Sequence, residues 1–176
     1  MRRLLILLLV LVAAPGCGYS LAGRGSFLPA YIKTVGIPQL VNRTSFFDVE
    51  QILTEKVRSE FIGRGKYHIT PEITGADAAL TGEVLGISVQ PVAFNDAQLA
   101  SRYMFTLTMK VAFTDARTNE VLWSNDALTF REEYELQTRG NVALEGAAFL
   151  DQERSAFDRI ATDVARTVVT AILEAF

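Results

Sequence analysis

The chain has 176 residues, 49% of them hydrophobic and 21% charged, enough for one domain with a core of its own. Its 17 Lys and Arg against 20 Asp and Glu leave a net charge of −3, so no basic excess tracks a phosphate backbone and nucleic acid is not an expected partner. One Cys and one His exclude an internal disulfide framework and a structural zinc site of four Cys/His ligands.

Arg2 and Arg3 precede an apolar run from Leu4 to Ala14, followed by Pro15, Gly16 and Cys17, the three-part layout of a secretory signal peptide. A run of 11 residues reaches about 17 Å as a helix, short of the ~30 Å hydrocarbon core that a spanning helix must cross. The Gly16-Cys17 junction resembles the lipobox of bacterial lipoproteins, which implies cleavage after residue 16 and acylation of Cys17 as the new N-terminus. Several acyl chains at about 0.8 kcal/mol per buried CH₂ anchor a protein stably. By resemblance to lipoprotein sorting rules, Gly18 rather than Asp after the cysteine implies the outer membrane. Without Arg2 and Arg3, 15 basic residues face 20 acidic ones, so the mature domain is acidic, at about −5. The expected division is a signal peptide over 1–16, a Gly-containing tether over 17–30 and a single domain over 31–176.

Tyr31 to Ile37 reads as a first strand, stopped by Pro38. Asn42-Arg43-Thr44 reads as a turn. Ser45 fits a helix N-cap with Asp48 as a first-turn acid, and Phe46, Val49, Leu53 and Val57 then recur at helical spacing until Gly63-Arg64-Gly65, where a glycine C-cap is expected. A short extended piece follows at Tyr67 to Thr70. Ala78 to Val89 predicts a long strand whose apolar positions change parity between Val84 and Leu85, which predicts a bulge between Gly82 and Gly86. A loop is expected over 91–101. Tyr103, Phe105, Leu107, Met109, Val111 and Phe113 alternate with polar residues as a third strand. After a turn at Asp115 to Glu120, Val121 to Tyr134 returns as a fourth strand. A final helix starts at Ala148 or Asp151 and carries the stripe Phe157, Ile160, Ala161, Val164, Ala165, Val168 and Ile172. The predicted class is α+β, a two-layer sandwich of two helices on one face of a mostly antiparallel four-stranded sheet, in the order β-α-β-β-β-α.

Catalytic chemistry has few carriers. His68 is the sole imidazole and reads as a solvated strand residue, and the sole thiol is expected to be acylated. Neighbouring carboxylates such as Asp48 with Glu50, or Glu132 with Glu133, do not converge on one substrate and read as solvated faces. Gly23-Arg24-Gly25 and Gly63-Arg64-Gly65 lack the spacing of a nucleotide-binding loop. No enzyme activity, metal or cofactor is expected. Of the 17 basic residues 13 are Arg, whose planar fork suits phosphate groups, although genome base composition produces the same bias. The polar side of the final helix mixes charges of both signs, which favours packing on the sheet over lying on a membrane.

Cys17-Gly18-Tyr19-Ser20-Leu21, the Ile37-Pro38 strand end with Asn42-Arg43-Thr44, Ala76 to Gly82, and Tyr103 to Phe113 followed by Asp115 and Val121-Leu122-Trp123 together resemble the LptE family of lipopolysaccharide-assembly lipoproteins. The resemblance implies two helices on a four-stranded sheet and no enzymatic activity. It further implies a plug inside the outer-membrane β-barrel LptD that helps the barrel assemble and binds lipopolysaccharide. An acidic domain repels an anionic glycolipid on average, so local Arg placement or apolar contact has to overcome the mean field. Arg102 and Arg139 are the candidate lipopolysaccharide contacts. Lipoproteins related to the curli-secretion channel and to the N-terminal domain of TolB share the opening order of elements, and a homo-oligomeric envelope protein is the alternative.

Overall fold

The computed structural model describes residues 28–64, 66–96, 98–135 and 142–175, with the side chains of the last segment described from Glu153 onward. The signal peptide, Cys17, most of the tether, Gly65 and Arg139 lie outside the described residues.

The elements in chain order are β1 (Thr34–Gly36), β2 (Val41–Asn42), α1 (Val49–Gly63), β3 (His68–Thr70), β4 (Ala78–Phe94), β5 (Ala100–Asp115), β6 (Val121–Glu135) and α2 (Val142–Glu174). The sheet runs β3-β1-β4-β5-β6, with β2 attached to β4. The α+β class holds, but the expected four-stranded, mostly antiparallel sheet is a mixed sheet of six strands. Its long strands β4, β5 and β6 are antiparallel, whereas β1 pairs parallel with both β3 and β4, and β2 pairs parallel with β4. The two strands beyond the expected four are β3, which is the short extended piece expected at Tyr67 to Thr70, and the two-residue β2, too short to show a period of two.

The predicted bulge is present: the β4–β5 register slips between Val84 and Gly86, leaving Leu85 as the extra residue. Val84 then stays on the core face and Ile87 and Val89 return to it, which is how one strand accommodates two apolar parities. The expected loop over 91–101 is largely strand, since β4 runs to Phe94 and β5 starts at Ala100. Two further register irregularities, at Pro91/Ala93 and Ala93/Phe94, keep the segment paired without regular alternation, which is why its pattern did not read as a strand.

The first strand is shorter than Tyr31 to Ile37: residues 29–32 form a turn in which the Ile32 amide donates to the Pro29 carbonyl, and the Lys33 and Thr34 amides are taken by the Asp77 carboxylate. The N-cap of α1 is Asp48, in the left-handed region at φ 62°, and not Ser45. Asn42 explains the delay: its Oδ1 accepts from the Thr44 amide and hydroxyl, while its Nδ2 donates to the Phe46 carbonyl and to Glu50. That turn holds residues 43–47 out of the helix. At the other end Gly63 is helical rather than a left-handed cap, and Arg64 continues in right-handed geometry. The final helix begins at Val142, earlier than the expected Ala148 or Asp151.

One core joins the layers. Val49, Leu53, Val57 and Phe61 of α1, a row from Phe157 to Ile172 of α2, and Phe105, Leu107, Met109, Val111 and Phe113 of β5 are all buried in it. Both helices therefore cover the same sheet face. At about 3.3 Å per residue β4 is ~55 Å long, and α2 at 1.5 Å per residue is ~50 Å. β1 and then β2 pair along one side of β4 from Ala78 to Val84, and β3 pairs with β1, so the sheet narrows from five strands at its β1–β3 end to three at the β4–β5 turn. The domain is a wedge.

Candidate functional site

The wide end of the wedge is where the chain enters. Leu28 and Ile32 are buried in the core, and the Tyr31 hydroxyl donates to Oδ2 of Asp115 at the end of β5. Asp115 continues the inward alternation of β5 and is 2% exposed. Its Oδ1 accepts from the amides of Arg117 and Thr118 in the β5–β6 turn, and the Arg117 guanidinium lies 4.7 Å over the Tyr31 ring. The Tyr31 hydroxyl first, then the Arg117 amide, holds the Asp115 carboxyl below the usual carboxylate range, and the same bond raises Tyr31. Asp77 is lowered by the amides of Lys33 and Thr34. These groups close the fold around the incoming tether.

The narrow end carries two exposed apolar side chains on either side of a polar turn. Phe94 and Leu99, 63% and 57% exposed, flank a turn in which the Asn95 amide donates to the Leu99 carbonyl and the Leu99 amide to Asn95 Oδ1. Just below it, Tyr103 of β5 stacks on Tyr134 of β6 with ring centroids 5.7 Å apart. Burial, reinforced by Glu153, pushes the Tyr134 hydroxyl up to about 12.

Between the two ends the sheet face turned away from the helices is polar. By strand alternation it carries Ser88, Thr106, Thr108, Thr129, Lys110 and Ser124, and Thr108 and Thr129 approach across the β5–β6 pair at 3.4 Å. Arg102, one of the two sequence candidates, sits on this face near the tip. Its guanidinium is 3.3 Å from Glu135 and 3.7 Å from Glu133, so it is already engaged by two carboxylates. Arg131 shares the face opposite Thr106 and is exposed. The alternation of β6 would have placed it there. The structure thus puts Arg102 and Arg131 on one face, while Arg139 lies outside the described residues.

His68 is exposed on the edge strand β3 opposite Thr34. A surface cavity of about 340 Å³ runs along α1 past Gln51, Ile52, Glu55, Lys56 and Ser59, a lining without imidazole or thiol. Among the described residues no cluster of His, Cys, Asp and Glu could hold a metal, and no helix is long and apolar enough to cross a membrane.

A family model described as "LptE: Lipopolysaccharide-assembly" matches residues 32–172. No curated protein matches the sequence. Among solved structures, an uncharacterized lipoprotein B from Nitrosomonas europaea is similar at 13% identity, covering 89% of this chain and 90% of that one with a TM-score of 0.55. A minor lipoprotein from Acinetobacter baumannii is 17% identical over 84% of this chain and 94% of that one, with a TM-score of 0.49. The rare lipoprotein B from Shewanella oneidensis is 15% identical over 78% of this chain and 98% of that one, with a TM-score of 0.43.

Proposed function

This chain belongs to the LptE family of lipopolysaccharide-assembly lipoproteins, a non-enzymatic family, and on that premise we propose that it is the plug of the outer-membrane β-barrel LptD. The observation that carries this reading is the taper. A body about 55 Å long, three strands or ~15 Å wide at one end and five strands at the other, is shaped to enter an open lumen narrow end first. Its outer sheet face is rich in Ser and Thr, which suits the polar interior of a large membrane barrel.

The wide end receives the tether, so acyl chains on Cys17 hold it at the periplasmic surface of the outer membrane while the tip points into the barrel. With Leu28 already in the core, the 10 residues from Gly18 to Phe27 can span at most about 35 Å, which keeps the wedge beside its membrane. Lipopolysaccharide passing the plug meets the exposed Phe94 and Leu99 beside the tip and, on our reading, Arg102 and Arg139. A phosphate reaching Arg102 competes with Glu133 and Glu135, so this contact is a weak, exchangeable one, suited to a molecule in transit.

The test is affinity purification of the full-length protein from outer membranes. A large β-barrel is expected to co-purify with it and to be lost when Cys17→Ala leaves the protein unlabelled by radioactive palmitate and free of the membrane. Recovery of a homo-oligomeric ring without a barrel would overturn the reading.

A further inference from the structure

The two long edges of the sheet are built differently. On one side β6 is the outer strand, and from Asp126 to Glu135 it carries five charged residues and a register shift opposite Lys110, the usual devices that keep an edge from pairing further. On the other side β2 covers β4 only as far as Val84, where the Arg43 amide donates to the Val84 carbonyl at 3.0 Å. Beyond that point, among the described residues, no strand pairs with this side of β4. The uncovered segment, Leu85 to Phe94, contains no charged residue. Its bulged Leu85 is 44% exposed, and Phe47, on the loop that follows β2, is 92% exposed.

The ladder shows which backbone groups this edge offers. Val84 turns its carbonyl toward β2, so the Val84–Met109 pair does not bond into β5. Counting along β5 by twos, the same holds for Leu107, Phe105 and Tyr103, whose partners are Ile87, Val89 and Pro91. The amides of Ile87 and Val89 and the carbonyls of all three therefore point to the open side. Pro91, which has no amide, falls at one of these outward positions, where its missing donor costs the ladder nothing and limits any further pairing to the residues before it. What remains is a slot of about six residues, ~20 Å long, in line with β2.

We propose that the Leu85–Gln90 edge of β4 takes an extended, uncharged segment of the partner barrel as an added strand, in the slot that β2 leaves at Asn42. This rests on the plug reading above. A second copy of this chain is the poorer occupant, because a six-residue strand pair buries far less than the ~800 Å² per partner that a stable dimer needs. A barrel already held by the remaining surface needs no such area from one strand. Backbone bonds supply the attraction and the apolar flank selects the sequence.

Photo-crosslinking in the intact membrane-bound complex tests it, with the photoreactive residue placed at Leu85 or, for comparison, at Asp126 on the β6 edge. Leu85 is expected to capture an uncharged barrel segment at least roughly tenfold more efficiently than Asp126. Amide exchange at Ile87 and Val89 in the unaltered protein should slow by about tenfold or more on assembly. Val89→Pro removes one outward donor and some packing, since Val89 also faces the core, and should reduce barrel recovery well beyond a Val89→Ala variant that loses the packing and keeps the amide. If Val89→Pro misfolds, crosslinking and exchange in the unaltered protein decide. Capture of a second copy or of residues 18–27, equal capture from both edges, or unprotected amides in a complex that does contain the barrel would overturn the proposal alone. Absence of any barrel would overturn the plug reading with it.

Discussion

The Tyr31 hydroxyl donates to Asp115 across 84 residues of sequence, fastening the point where the tether enters to the far end of β5. Because Asp115 also organises the β5–β6 turn, one carboxylate ties the entry of the chain to the hairpin that forms two of the three long strands.

A pH dependence follows. Asp115 and Asp77 are held below the usual carboxylate range in the folded state, by the Tyr31 hydroxyl and backbone amides respectively. A depressed folded pKa stabilises above the unfolded value, near 4, and that contribution disappears as pH falls through the folded value. Thermal unfolding should be nearly flat between about pH 7 and pH 5 and should fall steeply below about pH 4. Tyr31→Phe should lower the midpoint at pH 7 and shrink the acid slope. An unchanged acid slope in the Asp77→Asn, Asp115→Asn double variant would refute the assignment.

Gly36 and Gly86 make a matched pair. A Cβ on Gly36 would lie 2.5 Å from the Glu72 carbonyl oxygen and 2.9 Å from the Ile73 Cα, both backbone atoms that cannot swing aside. Gly36→Ala should cost about 1–3 kcal/mol in urea denaturation. At Gly86 a Cβ meets nothing within 4 Å, so Gly86→Ala should stay within about 0.5 kcal/mol of the original. Equal effects at the two sites would contradict the packing described.

Phe105 joins the layers, its ring meeting Phe46 edge-on at 6.3 Å and Phe157 of α2 at 5.9 Å. It is buried at the level where the sheet has already narrowed. Phe105→Ala should lose about 3–5 kcal/mol of stability by chemical denaturation, and a loss under ~1 kcal/mol would mean that α2 does not close on the sheet there.

Replacing Arg102 and Arg139 together by Glu should weaken lipopolysaccharide binding by roughly tenfold or more at low salt, with the difference shrinking as ionic strength rises. Binding that is indifferent to both substitutions would leave Phe94 and Leu99 as the contact and remove these two arginines from the account.

Much of the wedge was legible because its largest elements repeat a period. The alternation from Tyr103 to Phe113, the stripe of the final helix and the parity change at Leu85 each state which face is inward without reference to any other segment. Even the Asn42-Arg43-Thr44 turn was visible, although its consequence, a helix start displaced to Val49, depends on what the Asn42 side chain reaches.

Local periodicity therefore determined the class of the domain, its two apolar helix stripes and its three long strands, since burial selects side chains residue by residue along an element. Only the tertiary structure decided the parallel pairing of β1 with β3 and β4, the narrowing to three strands, the Tyr31–Asp115 contact and the edge of β4 left uncovered. Those depend on hydrogen bonds between segments far apart in the chain: a backbone donor or acceptor is the same at every residue, and the Tyr31 hydroxyl and the Asp115 carboxylate each have many possible partners in the sequence, so the sequence leaves no mark of which one is found.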